Sequence, residues 1–221
     1  MHISPLSQVQ RRLFACCMAT VSDVDPQIIK CKDGASYANM AAYKHGLLNN
    51  LQGTVLEIGP GTGANFVYYP NSIEWLGIEP NLFMHPYLKE EAARQGFGSV
   101  QLYSDSVENL SIDSGSIDAV VSTHVLCSVV QLDRAFQEIV RVLRSGGSFI
   151  FFEHVGATRG TWNRTLQNGI TPVWKVLFDG CLPNRETWQT LDAAEFSAVN
   201  YENFQLKLPV VSPHIAGVAV K

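Results

Sequence analysis

Thr54-Val-Leu-Glu-Ile-Gly-Pro-Gly-Thr-Gly63 decides the fold. Its first five residues form a short apolar run with strand character, ending in glycines at alternate positions. Gly59, Gly61 and Gly63 tolerate positive φ and leave no side chain in the way of a ligand. Open α/β sheets bind ligands just beyond the carboxyl ends of their strands. A ligand is therefore expected over this loop, held by Gly59, Pro60, Gly61, Thr62, Gly63 and Asn65, with a helix following.

Working outward, strand, loop and helix signals repeat. A second strand is expected within Ser72–Glu79, a third over Val100–Ser104 and a fourth over Ile117–Ser122. The fourth is almost wholly apolar, as a strand covered on both faces should be. Leu132–Leu143 reads as a helix with Leu132, Ala135, Phe136, Ile139, Val142 and Leu143 on one face. Arg144-Ser-Gly-Gly147 should stop it, and Ser148–Phe152 should form the fifth strand. Asn203–Leu208 and Ile215–Val220 read as a closing hairpin. Upstream, Ser7–Thr20 and Ser36–Asn50 carry helical periodicity, with a break at Asp33-Gly34. The pattern predicts a Rossmann-like α/β fold: a doubly wound, mostly parallel seven-stranded sheet, helices on both faces and an antiparallel C-terminal edge hairpin. Residues 1–50 should be an N-terminal helical cap and residues 51–221 the main domain, with a helical lid insertion at about 155–195.

The bulk composition narrows the function classes. The 221 residues are 46% hydrophobic and 16% charged, which describes a globular, rather apolar chain. A net charge of −4 offers no basic excess for a phosphate backbone, so nucleic acid is not an expected partner; a small molecule is. Five cysteines, Cys16, Cys17, Cys31, Cys127 and Cys181, are irregularly spaced with no CxxC pair. A disulfide framework or zinc site is not expected, and Cys127 reads as a buried small hydrophobe. No apolar run approaches the roughly 20 residues that span a bilayer, so no integral membrane segment and a cytoplasmic location are expected.

Three acids discriminate between nucleotides. Gly59-x-Gly61-x-x-Ala64 also satisfies the dinucleotide fingerprint, so an NAD-dependent oxidoreductase is one reading. Glu57, just before the glycines, is unfavourable beside a pyrophosphate but useful beside a cationic ligand. Glu79, followed by Pro80, ends the second strand, where a carboxylate can accept both ribose hydroxyls. Asp105, followed by Ser106 and Val107, follows the third strand, where an acid can receive an adenine amino group; Thr123 ends the fourth. Glu57, Glu79 and Asp105 in successive register resemble the class I methyltransferase pattern. That resemblance implies S-adenosylmethionine as cofactor.

A narrower resemblance follows. Glu57–Phe66 with Tyr69-Pro70, Val125-Leu-Cys-Ser-Val129, Glu138–Arg144, Glu153-His-Val155, Thr161-Trp-Asn163, Phe178-Asp-Gly-Cys181, Arg185-Glu-Thr-Trp188 and Pro213-His-Ile215 look like the methyltransferase-like family whose animal members are thiol S-methyltransferases. The resemblance covers roughly residues 54–221 and is not expected to extend to the N-terminus, where the animal members carry a hydrophobic anchor. It implies methyl transfer to a small apolar thiol, with an O- or N-methyltransferase of a small metabolite as the alternative. His154, His214 and Asp179 are the candidate catalytic residues. His124 follows the fourth strand and is a further candidate. Asp179 and Arg185 are read either as catalytic or as an ion pair holding the lid. Trp162, Trp174, Phe178 and Trp188 are read as pocket wall or lid packing.

Overall fold

The computed structural model describes residues 5–18, 29–30, 36–98 and 100–221. Cys31, the Asp33-Gly34 break and the end of the first expected helix at Thr20 lie outside these residues. Helix α1 spans Pro5–Met18. Two-residue strands β1 (Ile29–Lys30) and β2 (Ser36–Tyr37) pair antiparallel, and α2 covers Met40–Leu48. The helix expected from Ser36 thus begins later: the Asn39 side chain caps it by accepting from the Ala42 N–H at 2.9 Å, and Ser36–Tyr37 is extended.

The main sheet is seven-stranded. Its strands are β3 (Thr54–Ile58), β4 (Glu74–Ile78), β5 (Gln101–Tyr103), β6 (Ile117–Thr123), β7 (Leu143–His154), β8 (Ala198–Gln205) and β9 (Pro213–Val220), in the order β5-β4-β3-β6-β7-β9-β8. Strands β3 to β7 pair in parallel, and β9 runs antiparallel to both β7 and β8. This is the expected mostly parallel sheet with an antiparallel edge hairpin.

Alternation along β3 explains the layers. Leu56 and Ile58 enter one core with Phe136, Ile139 and Val142 of α4 (Leu132–Val142). Val55 points the other way, with Leu88 and Ala92 of α3 (His85–Arg94), Phe66 and Trp75. A third cluster packs Met40 and Tyr43 of α2 on Phe152 and Ala216. Burial on both faces is why the central strands read as continuous apolar runs.

Three local expectations change. The first hairpin strand, expected at Asn203–Leu208, spans Ala198–Gln205 because it pairs along the whole of β9. The glycine loop is followed by turns and a short 3-10 segment, Phe66–Tyr68, rather than by an α-helix. Pro70 holds Tyr69 in the extended region (φ −80°, ψ 143°) and stops the helical course there. Strand β7 also begins at Leu143, directly after α4, instead of at Ser148. Its early residues are anchored to the chain end: the Gly146 N–H donates to Lys221 O at 2.9 Å, and the Lys221 N–H to Gly147 O at 3.0 Å. After β7, α5 (Trp162–Leu177) and α6 (Thr187–Asp192) supply the helical insertion.

Candidate active site

The glycine loop presents one open position. A Cβ on Gly59 would lie 2.5 Å from Val125 Cγ2, and one on Gly63 would lie 2.8 Å from Phe66. A Cβ on Gly61 would meet nothing within 4 Å, although its φ of +58° already favours glycine. The loop is therefore packed at both ends and faces space at its middle. Pro60 is buried, and its carbonyl accepts the Gly63 N–H at 2.9 Å, closing the turn; Thr62 is half-buried beside it.

Glu57 lies beneath this loop, not in it. It is almost fully buried, and its carboxylate accepts from Asn65 Nδ2 at 2.8 Å and from Trp75 Nε1 at 3.1 Å. Burial raises its pKa, opposed by those hydrogen bonds and the nearby Lys44 charge. Its direct work is to hold Asn65. Asn65 Nδ2 also donates to Thr123 Oγ1 at 2.9 Å, tying the loop to the end of β6, while its buried Oδ1 has no partner. An orphan buried acceptor costs free energy until a donor meets it.

Glu79 ends β4 with one oxygen on the Gly61 N–H (3.0 Å) and the other on the Asn81 N–H (2.7 Å). Burial lifts its pKa from the usual 4.5 to about 7, against the two N–H donors; Asp179 adds to the rise and Arg11 opposes it. Asp105 is half-buried and accepts the Ser111 N–H at 3.0 Å. Ser106 is exposed and makes a bridge to Asn109, whereas the Val107 side chain belongs to the main core.

Helix α1 closes against this edge. Arg11 pairs with Asp179 at 3.2 Å and donates to Pro80 O at 3.4 Å, and Asn81 Nδ2 reaches Arg11 O and Asp179 Oδ2, both at 3.3 Å. Asp179 is thus engaged on the Glu79 side by Arg11. Arg185 does not pair with it: its Nη1 donates to Leu126 O at 2.9 Å and to Val129 O, clamping the loop after β6.

A second group of side chains lies at the ends of β6, β7 and β9. His214 Nδ1–H donates to Ser212 O at 2.9 Å, so its Nε2 accepts from His124 Nε2 at 3.1 Å. Burial depresses both imidazoles, His214 to about 4, and the Lys44 charge contributes. Both are neutral near pH 7, and both ring nitrogens of His214 are occupied, so His214 is a poor general base. His154 Nε2 lies 3.2 Å from Cys181 Sγ, and its buried Nδ1 has no partner. Trp174 Nε1 donates to the same sulfur at 3.3 Å. Cys127, His154 and Cys181 are all buried, with their ligand atoms within 4.8 Å of one another. Hydrogen bonding from Cys127 pulls the Cys181 thiol down, and Cys127 itself is pushed up.

Two residues that hold this group were not singled out from sequence as site residues. Glu153, wholly buried, accepts from Ser122 Oγ (2.6 Å), the Val125 N–H (2.9 Å) and the Leu126 N–H (3.2 Å). It fixes the loop that carries Cys127 and presses Val125 against Gly59. Lys44 of α2 is buried over the rings of Tyr68 and Phe152, at 6.0 and 5.7 Å from their centroids. The expected aromatic wall divides: Trp162 is 81% exposed and Trp188 packs on the core, whereas Trp174 stacks on Phe178 at 4.2 Å beside Cys181.

The methyltransferase domain family matches residues 56–151. The chain is 40% identical to human thiol S-methyltransferase TMT1A over 194 residues, covering 82% of this chain and 80% of that one. It is 34% identical to human thiol S-methyltransferase TMT1B over 221 residues, 95% of this chain and 91% of the relative. The chain belongs to the class I S-adenosylmethionine-dependent methyltransferases, in the family of these two enzymes. The likeness reaches further toward the N-terminus than the expected residues 54–221. Geranyl diphosphate C-methyltransferase from Streptomyces coelicolor A3(2), solved with S-adenosyl-L-homocysteine, shares the fold: TM-score 0.63 and 13% identity, over 81% of this chain and 75% of that one. The [4+2]-cyclase SpnF also shares it, with TM-score 0.63, 21% identity and coverage of 92% and 77%.

The methyltransferase uses S-adenosylmethionine, and the NAD reading falls away. The residues present fit that cofactor. Gly61 faces open space, Glu79 waits beside it as an acceptor, and the unpaired Asn65 Oδ1 awaits a donor. When bound, the cofactor supplies a methyl group activated by its sulfonium charge.

Proposed function

We propose that this methyltransferase methylates the sulfur of a small apolar thiol, in the cytoplasm, with residues 1–50 as a cap and about 155–195 as a lid over the cofactor. The observation that carries the reading is the character of the group at the ends of β6, β7 and β9. His124 and His214 are neutral and hydrogen-bonded to each other, Glu153 is engaged by three donors, and Asp179, on the neighbouring Glu79 side, is paired with Arg11. Among the described residues, no carboxylate there is placed to remove a proton from a weakly acidic alcohol. A thiol needs less help, because its pKa is near 8.5 and a few per cent is already the strongly nucleophilic thiolate at about pH 7.

Alignment then supplies much of the rate, since holding two reactants in line removes an entropic cost. The stacked Trp174–Phe178 pair, with Phe14 of α1 edge-on at 6.5 Å, offers an apolar surface for the body of such an acceptor. Relatives named thiol S-methyltransferases support the same acceptor atom. The contacts of α1 with Pro80, Asn81 and Asp179 support the cap, and the free thiols Cys16, Cys127 and Cys181 support a reducing compartment.

The test is product identification by mass spectrometry. The protein is incubated with S-adenosylmethionine and either benzenethiol or free cysteine. Methyl phenyl sulfide should form much faster than S-methylcysteine. Preference for cysteine would remove the apolar acceptor.

A further inference from the structure

We propose that Cys127, His154 and Cys181 form a three-ligand site for a soft divalent metal ion of the zinc type, whose open fourth position takes the acceptor thiol. The proposal rests on the thiol reading above for its substrate and on geometry for its site. Sequence spacing does not reveal this triad, because its members come from three separate elements. Cys127 follows β6, His154 ends β7, and Cys181 lies in the turn after α5.

The donor set fits. Zinc sits about 2.3 Å from thiolate sulfur and about 2.0 Å from imidazole nitrogen, so tetrahedral ligand atoms lie roughly 3.5–3.8 Å apart. His154 Nε2 and Cys181 Sγ are already 3.2 Å apart, and all three ligand atoms lie within 4.8 Å of one another. Small side-chain rotations suffice to close the set on an ion. The surroundings also fit. The loops carrying the two sulfurs are joined by the Leu182 N–H donating to Cys127 O at 3.0 Å, and Arg185 holds the same loop from the other side. Trp174 Nε1–H already points at Cys181 Sγ, the kind of outer hydrogen bond that orients a ligating thiolate.

The number of donors points to reaction rather than scaffolding. Among the described residues the group holds three ligands. Structural zinc sites are closed by four protein ligands, whereas catalytic sites keep three and leave one position for water or substrate. Two thiolates and one neutral imidazole balance a divalent charge. A thiol entering the fourth position gives its proton to solvent and binds as thiolate, leaving the complex with one negative charge and an electron-rich sulfur. That sulfur forms a new bond to the cofactor's methyl carbon. The methyl–sulfonium bond breaks, and its electron pair stays on the cofactor sulfur, which becomes a neutral thioether. The methylated acceptor is also a neutral thioether, a weak ligand, and leaves the metal.

The experiment uses untagged full-length protein stripped with chelator under reducing conditions, then titrated with Co2+ as the probe. Absorption, thiol content and methyl transfer to benzenethiol are followed on the same samples. One equivalent of Co2+ should bind with an intense thiolate-to-metal band. Cys127→Ser and Cys181→Ser should each lose most of that band while still binding S-adenosylhomocysteine, which shows that they are folded. Adding benzenethiol should strengthen and shift the band, and stripping the metal should lower methyl transfer at least tenfold. Co2+ binding no stronger than in the Cys127→Ser/Cys181→Ser double variant would overturn the site. Full methyl transfer by that stripped protein would then keep the thiol reading while discarding the metal. A Cys127–Cys181 disulfide that forms in place of binding would likewise overturn it. Co2+ bound with a spectrum blind to benzenethiol would overturn the open position, leaving a structural ion.

Discussion

Glu79 makes cofactor affinity depend on pH. In the ligand-free protein burial raises its pKa to about 7, yet accepting ribose hydroxyls requires the carboxylate. Affinity should therefore scale with the ionised fraction. Near pH 8 almost all of the protein is competent. At pH 6 roughly one molecule in eleven is, and affinity should fall about tenfold, a cost of about 1.4 kcal/mol per unit below the pKa. The sign for stability is opposite. The folded state holds more protons than the unfolded chain between 4.5 and about 7, so the contribution of Glu79 to stability falls as pH rises through that window, by about 3 kcal/mol in all. The assay is calorimetric titration of S-adenosylhomocysteine into wild type and Glu79→Gln from pH 5.5 to 8.5. The variant carries the ligand's own ionisation but not that of Glu79, so the ratio of the two affinities isolates the residue. At pH 8 the variant should bind about 1–3 kcal/mol more weakly, through loss of charge-assisted hydrogen bonds. The gap should shrink as pH falls. Parallel pH profiles for the two proteins would refute the reasoning.

Gly61→Ala should weaken cofactor binding with only the loss of folding stability that its positive φ entails, about 1–2 kcal/mol, read by thermal melt. Gly59→Ala, whose Cβ meets Val125, should lose considerably more stability by thermal melt. Glu153→Ala strands three buried donors and should destabilise by at least about 3 kcal/mol in urea titration, at roughly 1–3 kcal/mol each. Arg11→Ala breaks a partly exposed ion pair, 27% and 24% accessible, and should cost about 1 kcal/mol or less, while raising the KM for S-adenosylmethionine if α1 caps the site.

The central strands and the loop were legible because they rest on local patterns. Val55, Leu56 and Ile58 alternate between two cores, and the glycines fall where β3 ends. The missing helix after the loop was harder to read. Pro70 alone marks it, and prolines also start turns beyond full helices. Nothing local in the sequence marks Lys44; its burial follows from α2 packing over Phe152, a contact between residues far apart in sequence. The Cys127–His154–Cys181 group was invisible for the same reason. Metal-site spacing rules describe ligands on one hairpin or loop, and here each ligand arrives on a different element. Asp179 and Arg185 left two readings open, catalysis or an ion pair, that only tertiary contacts resolve: Arg11 of α1 takes the acid, and backbone carbonyls take the arginine.

The most direct test of the account is the relative kcat/KM for three acceptors of one shape, benzenethiol, phenol and aniline, with labelled S-adenosylmethionine at pH 7.5. The account predicts label on sulfur at a kcat/KM at least tenfold above that for oxygen or nitrogen. Transfer to phenol or aniline with none to benzenethiol would contradict it, leaving a methyltransferase whose acceptor atom is not sulfur.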